Sequence, residues 1–126
     1  MSIPRYISNN DDIIDSRDVI ERIDYLDSLY DDPDYLRSED EYREVKALRD
    51  LAEQGENDAE DWLYGATLIR ESYFTEYARE YVTEIYGESV GNVPDWVVVD
   101  WEATADNLAT DYTELTFDGV TYLVRG

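Results

Sequence analysis

From Ser72 to Tyr86 the apolar positions Phe74, Tyr77, Ala78, Tyr81 and Ile85 recur at i, i+3, i+4, i+7 and i+11, one stripe of an α-helix. They predict a central amphipathic helix over 73–86. Val19, Ile20, Ile23, Leu26 and Tyr30 form a second set, predicting a helix from Asp15 or Ser16, either of which can cap, to about Tyr30. Pro33 ends it, because the residue before a proline is disfavoured in helical geometry. Ser38 with Glu41 three residues on reads as a capping box, opening a helix to about Gln54 with Tyr42, Val45, Leu48, Leu51 and Ala52 inward and Gly55 at its C-cap. After a loop over 55–61, with Asn57 or Asp58 as cap, Trp62, Ala66, Ile69 and Tyr73 recur at helical spacing. They predict a third helix that runs into the central one or kinks near Glu71–Ser72.

Beyond Gly87 the character changes. Two glycines and Pro94 mark a connection over 87–94, and Asp95–Val99 is apolar but too short to assign. A short helix is expected from Asp100 to about Leu108, with Trp101, Ala105 and Leu108 on one face. Asp118-Gly119 between the β-rich runs Thr113–Phe117 and Val120–Val124 predicts a type I′ hairpin. The fold class expected is α+β, mainly helical: four to five amphipathic helices with a C-terminal β-hairpin. Residues 1–14 read as an extended lead-in, with Pro4 and the cluster at 9–12 as loop chemistry, and 15–126 as one domain with a helical N-terminal part over 15–55.

Charge changes this picture most. Thirty-two acids against ten bases leave a net −22 on 126 residues, yet 13% of residues are aromatic, which an acidic disordered tail lacks. The acids must therefore decorate a folded surface. Duplex DNA carries roughly one charge per 1.7 Å of axis, so this excess corresponds to roughly 37 Å of duplex, about eleven base pairs. Such a chain should be repelled by nucleic acid and anionic membranes and drawn to basic surfaces. Halophilic adaptation is the competing source of an acidic surface with a single lysine, Lys46, and it predicts a fold that needs salt.

Chemistry is thinly represented. No cysteine and no histidine occur, which removes thiolate catalysis, disulfides and the common metal and acid–base sites. Loops starting at Asn9 or Asp31 lack the sixth-position glycine of an EF-hand, and no phosphate-cradling glycine loop is present. With so many carboxylates, a pair at glycosidase-like separation arises by chance. The expectation is a protein that is not an enzyme, has no cofactor and binds no metal. MSIPRY carries no basic region before an apolar run, and the longest aliphatic or aromatic run is Trp96–Val99, so a soluble, cytoplasmic protein is expected.

The candidate site is a set of carboxylates. Glu76, Glu80 and Glu84 stack at i, i+4 and i+8, where like charges cost a few tenths of a kcal/mol per pair. Folding gains nothing from that row, so it invites a role in binding. Asp18, Glu21 and Asp24 on the first helix, and the knob of Asp31, Asp32 and Asp34 around Pro33, read as its continuations. Trp62, Trp101 and most tyrosines fall on the apolar stripes and read as core; Tyr25, Tyr35 and Tyr64 are candidate aromatic anchors if exposed.

The run YAREYVTEIYG, then VPDWVVVDWEATADNLATDY, then FDGVTYLVRG resembles the C-terminal part of the ArdA-type antirestriction proteins, acidic DNA mimics of plasmids, transposons and phages. Asp61–Phe74, of the form DWxYGxxLIRxSYF, is similar to a stretch of short phage and prophage proteins of that group. The resemblance covers roughly 61–125, with 56–126 as the ArdA-like part of the domain. ArdA-type proteins are longer, and their Arg-Asp-Leu stands here as Asp106-Asn107-Leu108. What the resemblance implies is a phage or mobile-element protein that occupies the basic groove of a DNA-binding enzyme, a type I restriction–modification complex first, with carboxylates in place of phosphates. It also implies a homodimer. The alternative is an acidic module for a basic nucleoid or phage structural protein.

Overall fold

The computed structural model describes residues 3–86 and 100–125. The elements run β1 (Ile13–Asp15), α1 (Ser16–Ser28), a 3-10 turn over Leu29–Asp31, α2 (Glu39–Asp58) and β2 (Thr67–Arg70). A 3-10 turn over Glu71–Tyr73 then leads into α3 (Phe74–Tyr86), followed by α4 (Trp101–Ala109), β3 (Tyr112–Phe117) and β4 (Val120–Arg125). The strands form one antiparallel sheet in the order β1-β2-β4-β3. This is an α+β, mainly helical fold that ends in the expected hairpin.

Strand alternation sends side chains to two separate cores. Ile14, Leu68, Leu115, Phe117, Tyr122 and Val124 pack with Val19 and Leu26 of α1 and Val45, Leu48 and Leu51 of α2. Ile69 and Leu123, paired across β2 and β4, pack with Phe74 and Ala78 of α3 and Ala105 of α4. The sheet is thus the middle of three layers, with α1 and α2 on one face and α3 and α4 on the other. At the hairpin tip Asp118 has φ 49° and Gly119 φ 80°, the left-handed pair that a type I′ turn requires.

The expected third helix is absent. Asp61–Gly65 form a turn, Gly65 at φ 122°, and Thr67–Arg70 are a central strand. Leu68 and Ile69 are both buried because each faces a different core, and such a short apolar run cannot be told from helix by spacing. Nor is Gly55 a cap. Helix α2 continues to Asp58, and Gly55 lies buried inside it, where a Cβ would stand 2.2 Å from the Trp62 ring. Of the expected lead-in over 1–14, the described residues 3–14 are more than that, since Ile7 and Ile14 are core and β1 pairs with β2. Half of the capping box forms: Ser38 Oγ accepts from the Glu41 N–H at 3.3 Å, while the Glu41 carboxylate accepts from the Tyr35 hydroxyl. The connection at 87–94 and the run Asp95–Val99 lie outside the described residues.

Asp15 caps α1 by accepting from the Arg17 N–H, which frees Ser16 for another task. Ser16 is fully buried; its hydroxyl donates to the Trp62 carbonyl and accepts from the Ala66 N–H, both at 2.7 Å. It joins α1 to the turn before β2. Ser16→Ala strands a buried carbonyl and a buried N–H together, and the expected loss is about 2–3 kcal/mol by urea unfolding. Stability near wild type for the alanine variant would show that other groups take over those partners.

Tyr122 is buried and donates to the Asp11 carbonyl at 2.6 Å. Burial pushes its hydroxyl up to about 12, with Asp11 and Asp12 adding to the rise and Arg70 opposing it. An unfolded tyrosine ionises near 10, so above that pH the unfolded chain binds fewer protons and stability falls as pH rises. Tyr112 shifts the same way, chiefly through burial. Unfolding midpoints are expected to decline from pH 10 toward 12, and in Tyr122→Phe the decline should be shallower.

Candidate interaction surface

Arginine decides which carboxylates are neutralised. Arg22 pairs with Glu44 at 2.6 Å in the least exposed ion pair and donates to the Pro4 carbonyl, while Arg49 pairs with Asp27 at 2.7 Å. Both clamp α1 to α2. Arg70 reaches Asp12 at 2.5 Å across the β1 edge, and Arg17 reaches Asp15 at 2.7 Å. The Arg17 guanidinium, joined in a double hydrogen bond, holds the Asp15 carboxyl below the usual range. These pairs serve the architecture and leave most outward acids without a cation.

The α3 row is exposed throughout. Glu76 lies 3.8 Å from Arg79, one turn away, and among the described residues Glu80 and Glu84 have no ion pair. The Tyr73 hydroxyl donates weakly to Glu80 at 3.4 Å. Partial burial, then Glu80, with Asp12 and Glu76 behind it, raises the Tyr73 hydroxyl above the ordinary phenol range. One hydroxyl thus feels carboxylates of α3 and of the β1 edge together.

On α1 the Asp15 carboxylate first, with Asp18 and Glu21 adding to it, raises the Arg17 guanidinium above its ordinary value. Asp18 is half-exposed and 4.0 Å from Arg5; Glu21 and Asp24 face solvent without an ion pair among the described residues. Asp31, Asp32 and Asp34 stand exposed on the loop beyond α1, where Asp32 accepts from the Asp34 N–H at 2.9 Å. The α1 and α3 rows lie on opposite layers of the sheet. At the β1 edge Asp12 and Asp15 are each paired with an arginine, Arg70 and Arg17, and the pattern of helices singled out neither acid for the candidate surface.

Helix α2 is different in kind. Arg43 and Lys46 alternate with Asp40, Glu44 and Asp50 along a groove of about 800 Å³ that the hairpin tip closes. Mixed signs make that face a poor likeness of phosphate. Among the candidate anchors Tyr64 is 79% exposed, whereas Tyr25 and Tyr35 are half-buried. Trp62 is core, although the helix whose spacing placed it there does not form, and Trp101 is half-buried. Among the described residues no cluster of three potential metal ligands occurs, and no helix is long and apolar enough to cross a membrane. No protein-family model, curated protein or solved structure matches the chain.

Proposed function

We propose that this protein is a DNA mimic that inhibits a host DNA-binding defence enzyme, with a restriction–modification complex as the first target class. The observation that carries the reading is the pair of acidic rows, Glu76, Glu80 and Glu84 on α3 and Asp18, Glu21 and Asp24 on α1, in which Glu80, Glu84, Glu21 and Asp24 have no ion pair among the described residues. The arginines near the rows are held in local pairs. An i, i+4 row has one charge per roughly 6 Å of axis, whereas one DNA strand has one per roughly 3.4 Å. A single row therefore carries about half the linear charge of a strand. Both rows are needed to match the charge of a strand. In this reading no residue is catalytic; the carboxylates face lysines and arginines that otherwise hold phosphate, and the field steers association.

The test is competition. Bound to a purified type I restriction–modification methyltransferase, the protein should be displaced by duplex DNA, and affinity should fall steeply as salt rises. A complex that DNA leaves intact points instead to an acidic module for a basic protein. The same purified chain, melted at low salt, separates halophilic adaptation: an adapted fold is lost there, whereas a mimic keeps its transition.

A further inference from the structure

The loop between α1 and α2 lifts an apolar side chain into water on a braced support. Leu36 is 89% exposed, more than any other large apolar side chain among the described residues. Several of its neighbours are tied to α1 and α2. The Arg37 guanidinium lies 4.1 Å from the Tyr30 ring centre and 5.8 Å from that of Tyr42. Its Nη2 donates at 2.6 Å to the Leu26 carbonyl, one of those that the end of α1 leaves without a helical partner. Tyr30 and Tyr42 meet hydroxyl to hydroxyl at 3.3 Å, and Tyr30 meets Tyr35 edge-on at 6.1 Å. Tyr30 and Tyr42 are themselves about half exposed. Around them stand the exposed carboxylates of Asp31, Asp32, Asp34, Glu39 and Asp40.

A leucine held out on a braced loop adds nothing to folding, while its bracing lowers the entropy lost when it docks. The acidic rim repels nucleic acid and anionic membrane and matches a basic border, and the leucine needs an apolar floor. We infer that Leu36, next in the chain to Arg37 of the Tyr30–Arg37–Tyr42 cluster, is the apolar anchor of the inhibitory surface and seats in an apolar notch bordered by lysines and arginines on the target enzyme. This rests on the mimicry reading and deepens it. Carboxylate pairing is screened by salt and apolar burial is not. The anchor therefore holds the complex at ionic strengths where duplex DNA, which has no such group, lets go.

The deciding measurement is the affinity of the full chain for the methyltransferase across a salt series, with Leu36→Ser, Leu36→Met and Glu80→Lys beside the wild type. Leu36→Ser is expected to weaken binding about tenfold by a similar factor at every salt concentration, and Leu36→Met to retain it. Glu80→Lys should instead flatten the salt dependence. Thermal melting checks that Leu36→Ser is folded. Should it bind like wild type while DNA still displaces the wild type, the anchor falls and mimicry stands. A loss confined to low salt would also overturn it, since that marks an altered field. A wild type that binds none of a panel of restriction methyltransferases and nucleoid proteins removes both readings.

Discussion

Reversing Glu76, Glu80 and Glu84 to lysine is expected to lower inhibition at least about a hundredfold and leave the fold intact, because opposed charges along this row turn attraction for a basic groove into repulsion. The single change Glu80→Lys separates the two effects most cleanly. It places a cation one turn from Glu76 and one turn from Glu84, converting two repulsive i, i+4 pairs into attractive ones worth a few tenths of a kcal/mol each. Stability should therefore rise slightly while inhibition drops, and the affinity that remains should respond less to salt. The only contact forfeited at Glu80 among the described residues is the weak donation from Tyr73. Melting and inhibition are measured on the same preparations. As a control, Asp50→Lys acts on the mixed face of α2 and should change inhibition by no more than about threefold. Inhibition unaltered by the triple reversal would take the α3 row out of the interface.

The largest effect on stability is expected where α2 meets the turn before β2. Trp62 is 1% exposed, and its ring lies over the backbone at Gly55, so that a Cβ there would stand 2.2–2.6 Å from three ring carbons. Inside a helix, alanine is favoured over glycine by about 1 kcal/mol. Overpacking a core costs about 1–3 kcal/mol, occasionally more, and this approach is to a rigid ring that is already buried, so overpacking wins. Gly55→Ala should destabilise by about 2–3 kcal/mol, and Trp62→Ala, which empties the site, by about 3–5 kcal/mol. The two are coupled. In a Trp62→Ala background the added methyl has room, so Gly55→Ala should become neutral or stabilising there. Urea unfolding of the four species measures this; additive losses would mean that the ring and the glycine do not share the space.

What the sequence disclosed follows from which forces are local. Helices α1, α2, α3 and α4 each bury one stripe, so their spacing is written in the chain, and Asp118-Gly119 declares its own turn. Strand β2 was hidden because it lies between two helical layers, with Leu68 and Ile69 both apolar, and no alternation survives in four residues. The burial of Gly55 depends on a tryptophan seven residues away across a turn, and nothing in helical spacing announces it. Of the candidate surface, the individual rows were legible, since charge repeats with the helix. Their placement on opposite layers follows from which core each helix joins, which the chain encodes only through its whole fold.

The side chain of Gln54 has a bearing on how this molecule behaves in company. Its amide accepts from the Thr116 N–H at 2.8 Å and donates to the Thr116 carbonyl at 2.9 Å, so it lies along the outer side of β3 as a short mock strand. In dilute, low-salt solution, electrostatic repulsion between copies already keeps open strand edges apart. That protection disappears under concentrated salt or against a polycation, when the copies no longer repel and an unpaired strand becomes a template for its neighbours. The glutamine works equally well in both circumstances, since it carries no charge. Its cover of the β3 edge at Thr116 therefore persists at the moment the protein's own acidity has been cancelled.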